Sequence, residues 1–555
     1  MIAVTFDRIA IAYAAEPVFT ELSWEVHDDR IVGLVGPNGC GKSTMLKAIA
    51  GEVEASRGTI ARRSDLTVGY LAQSVSFNDE ITVFEAVRSG AEQLIEIEHA
   101  LTTIEARLAN SEVYEDAGVL ERVLHEQEGL LEAYDRCGGP GLEARIREIL
   151  HALGFGDTDL AHPVGVLSGG QKKLVGLAAQ AVNRPKLLLL DEPDNHLDLD
   201  GKAYLERFLR GYGGGIVLVS HDRYLLDLVV DEINELEGGV LRRFPGNYSE
   251  YAVEKEHQRA LHEHHYADQQ KEIARLEQSA KRLMTWGAVY DNEKFIKRGQ
   301  AILKRIERME RIDRPHIERR MHLNLNGWRG SSKVLEINSL GKSFPTNAGG
   351  DHVVLRDLDL MVRHGERVGL VGANGTGKSV LFRLILGEDA PNAGDLVLGP
   401  SVETGYYAQE HETLELERSL IDVLRHGAGI SETRAVLTLQ RFAFSYEQSR
   451  RPAKDLSGGE RSRLQLALIM LAGANFLLLD EPTNNLDIAS AEILEDALEE
   501  FDGSVLVISH DRYFLDRVVD RIVELEDGKL TSYACSYSEY TRRTGRESDR
   551  NGEPA

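Results

Sequence analysis

The chain has 555 residues, a formal net charge of −26, and 42% hydrophobic against 28% charged residues. That length calls for about two to four hydrophobic cores, and that charge excludes nucleic-acid binding by the surface as a whole, though not by a local basic element. Three scattered cysteines, Cys40, Cys137 and Cys535, exclude a disulfide scaffold or zinc site and point to a reducing cytoplasm. No run reaches the roughly 18 apolar residues of a membrane span, and the N-terminal MIAVTFDRIAIAYAAEP has no secretion signal.

In chain order, the first element with chemical content is an apolar strand at Ile31–Val35. It is followed by Gly36-Pro-Asn-Gly-Cys-Gly-Lys-Ser43 and by a helical pattern through Met45, Leu46, Ala48 and Ile49. Strand, glycine-rich loop and helix in that order form a P-loop. GYLAQ follows at 69–73, LSGGQ at 167–171, LLLLDEPDNHLDL at 187–199 and IVLVSHDRYLLD at 216–227.

The same motifs return in the same order: VGLVGANGTGKSV at 368–380, GYYAQ at 405–409, LSGGE at 456–460, FLLLDEPTNNLDI at 476–488 and VLVISHDRYFLD at 505–516. The offset is 336 up to Gln73/Gln409 and 289 from Ser168/Ser457 onward, so the first copy holds 336 − 289 = 47 extra residues. Leu94, Ile97, Leu101, Ile104 and Leu108 recur at helical spacing there, and a second run ends at Gly138-Gly139-Pro140. We expect a two-helix arm at about 91–138. It is acidic, with twelve Asp/Glu against three Arg between 91 and 137.

Between the copies, at 246–331, PGNYSEY opens a long polar stretch with Ile273, Leu276, Ala280 and Leu283 at spacings of three and four. A second run holds Ile302, Ile306, Met309 and Ile312 before Arg314-Pro315. The pattern predicts an antiparallel α-helical hairpin with its tip near Trp286–Asn292 and a first helix of about 55 Å at ~1.5 Å per residue. Lys281–Arg320 carries twelve Lys/Arg and six Asp/Glu. Residues 542–555 read as a disordered tail. The expected architecture is therefore α/β, with two P-loop nucleotide-binding domains at 1–245 and 332–541 joined by the hairpin.

The chemistry follows from residue type and spacing. In the first copy Gly36, Asn38, Gly39 and Gly41 let backbone N–H groups turn toward phosphates. Lys42 brings a charge to the β/γ-phosphates, Ser43 a hydroxyl to Mg²⁺, and Thr44 completes the ATP-binding set. Gly372, Asn374, Gly375, Gly377, Lys378, Ser379 and Val380 are the second set. Asp191 and Asp480 close apolar strands as Mg²⁺ ligands. Glu192 and Glu481 stand beside them to orient or deprotonate water. Gln73 and Gln409 can bridge metal and water, and His221 and His510 can donate to a γ-phosphate. Ser168-Gly169-Gly170 and Ser457-Gly458-Gly459 begin helices and form a second kind of anion site. The cofactors expected are ATP and Mg²⁺, and the reaction is ATP hydrolysis.

Together these motifs resemble the Walker A, Q-loop, LSGG signature, Walker B, D-loop and switch histidine of the ABC ATPase superfamily. The resemblance implies head-to-tail cassettes, with Lys42, Gln73, Asp191, Glu192 and His221 facing Ser457–Gly459. Lys378, Gln409, Asp480, Glu481 and His510 would face Ser168–Gly170. It also places Tyr13 and Phe344 where the family stacks an aromatic on adenine. Tandem cassettes with an arm in the first and a charged linker opened by PGNYSEY resemble the ABC-F family. That implies a cytoplasmic, monomeric translation factor or antibiotic-resistance protein that binds the ribosomal E site with ATP bound. Its linker would reach rRNA and P-site tRNA near the peptidyl-transferase centre.

The acidic arm suits a basic ribosomal protein better than rRNA. Trp286, Tyr290 and Phe295 can stack on bases or close the hairpin tip. Departures from the family pattern are Gln171, Asp194, Asn485 and Val380; none removes a lysine, metal ligand, glutamate or histidine, so both sites are expected to hydrolyse ATP. The competing readings are an ATPase subunit of a membrane transporter with a separate permease, and a DNA-repair or chromatin ATPase. The long charged hairpin disfavours the first. The absence of a zinc-binding Cys cluster, a long coiled coil or a basic C-terminal module disfavours the second.

Overall fold

A computed structural model describes residues 1–13, 16–110, 116–309, 332–346, 350–408, 414–442, 444–456, 458–471, 473–484 and 486–545. The chain divides into two compact units, one of Met1–Asn247 with Arg320–Ala555 and one of Tyr248–Arg319. The first unit holds both copies of the repeat.

The first copy contains β1 (Ile2–Tyr13), β2 (Glu16–His27), β3 (Ile31–Val35), β4 (Arg57–Arg62), β5 (Val68–Leu71), β6 (Leu187–Asp191), β7 (Gly215–Val219), β8 (Glu232–Glu237) and β9 (Val240–Pro245). They form a six-stranded sheet of order β5-β6-β7-β3-β8-β9 and a three-stranded sheet of order β2-β1-β4. The second copy contains β10 (Lys333–Thr346), β11 (Gly350–Arg363), β12 (Arg367–Val371), β13 (Ala393–Leu398), β14 (Thr404–Tyr407), β15 (Phe476–Asp480), β16 (Ser504–Ile508), β17 (Arg521–Glu526) and β18 (Lys529–Tyr533). Its orders are β14-β15-β16-β12-β17-β18 and β11-β10-β13. The sheets of the two copies match strand for strand, so the α/β fold expected from the repeat is the one observed.

Five strands of each large sheet run parallel and only the last pair, β8–β9 and β17–β18, is antiparallel. A parallel sheet covered on both faces needs unbroken apolar strands rather than alternating ones. That is why Leu187–Leu190 and Phe476–Leu479 are wholly buried. Each leucine buried in this way stabilises the core by roughly 1.5–3 kcal/mol.

The extra residues of the first copy include helices Glu92–Leu108 and Ala117–Arg136. They are held together by buried Leu94, Ile104 and Val123, by Arg107 to Glu126 at 3.1 Å and by the Tyr134 hydroxyl to Glu98 at 3.2 Å. At the C-terminus, helix Tyr537–Thr544 extends into the segment read as tail. Tyr537 and Tyr540 are buried in the second copy's core and anchor it. Residues 546–555 lie outside the described residues.

The second unit is a helical hairpin. Helix Tyr248–Val289 has 42 residues, about 63 Å at ~1.5 Å per residue. The turn follows at 290–292 with Asp291 at φ 48, and Asn292 caps helix Glu293–Arg308. Ala280 and Ile306 are buried, and Gly299 packs so closely that an added Cβ would lie 2.5 Å from Met284 Cγ. The sequence pattern carried this helix to Arg314-Pro315, but the helix ends at Arg308 and Met309 is extended at φ −68, ψ 130. A helix of this length depends on tertiary burial, and Ile306 is the last described residue of the run to be fully buried. Ile312, Arg314 and Pro315 lie outside the described residues. Among the described residues no helix is long and apolar enough to cross a membrane.

Candidate functional site

In an open parallel sheet, chemistry gathers at the carboxyl ends of the strands. The order β5-β6-β7-β3 brings four such ends side by side: Gln73 after β5, Asp191-Glu192 at β6, Ser220-His221 after β7 and the P-loop after β3. β14-β15-β16-β12 repeats the arrangement with Asp480-Glu481, His510 and the second P-loop. Gln409, Ser457 and Asn485 lie outside the described residues, as does the side chain of Tyr13.

Both P-loops have the same backbone. Gly36 at φ 151 and Gly372 at φ 155 cannot carry a side chain, since a Cβ would fall against the carbonyl oxygen of Leu236 or Leu525 respectively. Lys42 opens helix Lys42–Ala50 and Lys378 opens helix Lys378–Ile385, with Gly41 and Gly377 as N-caps that supply no side-chain bond. The free N–H groups of these helix ends form an anion site. The Lys42 ammonium donates to the Gly36 and Pro37 carbonyls at 2.8 and 3.0 Å; Lys378 donates to those of Gly372 and Ala373 at 2.7 and 2.9 Å. Thr44 and Val380 are half-buried in the first helical turn.

The acidic pairs are unusual in backbone and in charge. Glu192 has φ 50 and Glu481 φ 47, a left-handed conformation that costs a non-glycine residue roughly 1–3 kcal/mol and gathers at functional sites. Both are pinned by a backbone bond to the neighbouring strand, Glu192 N–H to Val219 O at 2.8 Å and Glu481 N–H to Ile508 O at 2.9 Å. Asp191 and Asp480 are hydrogen-bonded by Ser43 and Ser379 respectively, while burial raises the pKa of both carboxyls. Asp191 Oδ1 is buried without a hydrogen-bond partner. An orphaned buried carboxylate oxygen beside a serine hydroxyl suits a divalent cation, so the residues present fit Mg²⁺.

Glu192 Oε2 accepts from Gln73 Nε2 at 2.8 Å and from Asn195 Nδ2 at 2.6 Å. Burial and then Asp191 raise its pKa, and burial with Asp480 pushes Glu481 up to about 8. His221 Nε2 lies 3.6 Å from Glu192 and His510 Nε2 3.4 Å from Glu481. Burial, reinforced by Lys42, pushes His221 down to about 3, and burial with Lys378 and Lys202 holds His510 well below its ordinary value. Burial thus favours the neutral imidazole at both, and neither ring nitrogen of either has a hydrogen-bond partner.

The signature of the first copy does not face its own P-loop. Ser168 caps helix Gly169–Ala181 by accepting from Gln171 N–H, and the Gln171 side chain accepts from Ser168 N–H in return, which is the local role of the glutamine noted at this position. Ser168, Gly169 and Gly170 line a cavity of about 630 Å³ together with Asn374, Gly375, Gly377, Lys378, Ser379, Val380, Asp480, Glu481 and His510 of the second copy. Gly458 and Gly459 begin the corresponding helix of the second copy, Gly458–Leu471. Phe344 is not among the residues that line that cavity, which include Val354 of the paired strand β11, and the Lys342 ammonium covers the Phe344 ring at 5.1 Å.

Reciprocal contacts hold the two copies face to face. Asp487 accepts from the Asn38 backbone N–H at 3.0 Å, and Asp198 from that of Asn374 at 3.1 Å. Arg223 Nη1 meets Glu495 at 3.2 Å, and Arg512 meets Glu206 at 2.7 Å. Each arginine also lies over the other copy's tyrosine, Arg223 on Tyr513 at 5.2 Å and Arg512 on Tyr224 at 4.4 Å. Sequence reasoning had named the Leu-Asp and Ser-His-Asp-Arg-Tyr repeats but assigned no role to these aspartates and arginines. Their signal was repetition of the motif itself.

Comparison with known proteins agrees with this geometry. The ABC transporter family matches residues 19–195 and 355–484, and an extension of that family matches 234–325. ABC transporter F family member 5 of Arabidopsis thaliana is 32% identical over 97% of this chain and 77% of its own length. The energy-dependent translational throttle protein EttA of Escherichia coli strain K12 is 34% identical over 92% of this chain and 91% of its own. Among solved structures, RNase-L Inhibitor superposes with a TM-score of 0.59 at 18% identity, over 97% of this chain and 93% of that one. At that identity the likeness is one of fold. Two strand-for-strand cassettes, their paired motifs and full-length relatives thus agree: the chain is an ATPase and belongs to the ABC-F family of ATP-binding cassette proteins.

Proposed function

We propose that this ATPase acts on the ribosome. It binds the E site with ATP held between its cassettes, directs the hairpin toward rRNA and P-site tRNA near the peptidyl-transferase centre, and leaves on hydrolysis. The observation that carries the reading is the hairpin. Its two-helix unit ends in exposed Trp286, Val289 and Tyr290, with Arg282 stacked on Trp286 at 5.6 Å. A tip that leaves Trp286 and Tyr290 in solvent favours base stacking over closure of the hairpin, and cations around it suit phosphates. The relative named a translational throttle, alike over nearly its whole length, supports the same reading. The arm, acidic throughout, would meet a basic ribosomal protein.

In the proposed cycle Lys42 and Lys378 transfer their donors from P-loop carbonyls to phosphate oxygens. Glu192 and Glu481 orient the attacking water and take its proton. Neutral His221 and His510 donate to the transferring phosphoryl group, and the opposite signature helix presents its N-terminus to the same charge. Mg²⁺, held by Ser43, Asp191 and Gln73 or by Ser379, Asp480 and Gln409, would supply positive charge to the β- and γ-oxygens.

The test is a Glu192→Gln/Glu481→Gln variant. It should bind ATP, fail to hydrolyse it and co-sediment with ribosomes. If it stays free of ribosomes and is retained by membranes, the transporter reading replaces this one. Growth with antibiotics that bind the peptidyl-transferase centre separates a resistance protein from a housekeeping factor.

A further inference from the structure

The 289-residue offset shows where the two cassettes differ at their shared interface: Asp194 stands opposite Thr483, and Lys202 opposite Ala491. One cassette thus carries an acid and a base where the other carries neither. In space they belong to one cluster. Lys202, on helix Leu199–Gly211, is buried, as are Asp194 and Asp222. Its ammonium donates to Asp222 Oδ2 at 2.7 Å within its own cassette, and to the backbone carbonyl of His510 at 2.8 Å in the other. Lys202, Asp194 and His510 line the same cavity as the second P-loop.

We propose that Lys202 is a positioning residue for the second ATP site, supplied in trans by the first cassette. A buried ammonium bonded to the His510 carbonyl sets the peptide that carries the imidazole. It can do so only when the cassettes are docked, because the ammonium and the carbonyl belong to different cassettes. Asp222 and Asp194 supply the counter-charge that lets a lysine sit in this desolvated place. Ala491 has no donor to offer the His221 carbonyl, so the first site lacks the device. The two sites, alike in their P-loop lysine, Mg²⁺-binding aspartate, catalytic glutamate and switch histidine, therefore differ in how that histidine is set: the second by a lysine of the partner cassette, the first with no lysine at the matching position.

This inference rests on the reading of His510 as a group that acts on the second site's nucleotide, and the experiment separates the two. Full-length protein carrying Glu192→Gln reports the second site alone; protein carrying Glu481→Gln reports the first. In the Glu192→Gln background, His510→Ala should abolish turnover. Lys202→Ala should lower kcat about ten-fold, the worth of one charge-assisted positioning bond, with KM for ATP within about two-fold. Lys202→Arg should restore part of kcat. Asp194→Thr/Lys202→Ala, which recreates the pair the second cassette folds with, should melt near the parent temperature and still show the low kcat. In the Glu481→Gln background the loss on Lys202→Ala should be markedly smaller. Equal loss at both sites, a rise in KM without a fall in kcat, or full kcat in the double variant would overturn the proposal. Intact turnover in His510→Ala would overturn it too, by removing the reading on which it stands.

Discussion

Arg512→Met is the sharpest test of how the cassettes are held together. The guanidinium and the Glu206 carboxylate lie 2.7 Å apart with side chains only 8% and 3% exposed, and the cation also covers Tyr224 at 4.4 Å. Methionine keeps most of the volume but leaves Glu206 buried without a counter-charge. Breaking a buried pair from one side costs about 3–5 kcal/mol, and losing the cation–π contact adds ~1 kcal/mol. The partners come from different cassettes, so undocking returns Glu206 to water and the penalty falls on docking rather than on either fold. The expected effect is a roughly 1,000- to 20,000-fold fall in the ATP-driven docking constant. It can be read as the ATP dependence of energy transfer between fluorophores on the two cassettes. Melting of each cassette should change little. Glu206→Leu/Arg512→Met removes both charges and should recover much of the loss. The reasoning is refuted if the single variant docks normally, or if the double variant is no better than the single one.

Other predictions follow from single contacts. Asp198→Ala removes both the Gly201 N-cap bond at 3.0 Å and the bond to Asn374 N–H at 3.1 Å. It should cost about 1 kcal/mol in first-cassette stability, read by denaturant melting, and raise the ATP concentration needed at the second site. Gly299→Leu should overpack the hairpin against Met284 and Ala280 by roughly 1–3 kcal/mol. Hydrogen exchange should quicken along both hairpin helices while basal ATPase holds. Glu232 is buried; burial pushes its pKa up, but bonds from Arg30, Asn234 and Arg243 overcome this and leave it below the ordinary value. A carboxyl lowered on folding stabilises above its unfolded pKa and loses that contribution as pH falls through the folded value. Glu232→Gln should therefore lower Tm at pH 7, with the gap to the parent closing below about pH 4.

Much of the architecture was legible because it is local and written twice. The glycine-rich loop after Ile31–Val35, the apolar run into Asp191-Glu192 and the serine before Gly169-Gly170 each state their structure within a dozen residues, and the constant offsets vouch for them. What could not be read was non-local or conformational. Nothing in the sequence around Glu192 or Glu481 announces a positive φ, since the strain is held by the hydrogen bonds their N–H groups donate to the carbonyls of Val219 and Ile508 on an adjacent strand. Lys202 looks like any surface lysine of an amphipathic helix until the second cassette covers it. The end of the hairpin's second helix at Arg308 falls six residues before Arg314-Pro315, the stop that the sequence pattern offered. Phe344, assigned by analogy of position, rests on no local signal in the residues around it.

The central claim is that each ATP site is completed by the signature of the other cassette. The most direct measurement is steady-state ATPase in the Glu192→Gln background, where only the second site turns over, comparing Ser168→Arg with Ser457→Arg. Ser168 shares a cavity with Lys378 and Glu481, so Ser168→Arg should reduce the remaining turnover at least about ten-fold more than Ser457→Arg, the worth of a lost transition-state anion contact. The opposite order, with Ser457→Arg the more damaging, would mean that each cassette works with its own signature, and would contradict the account.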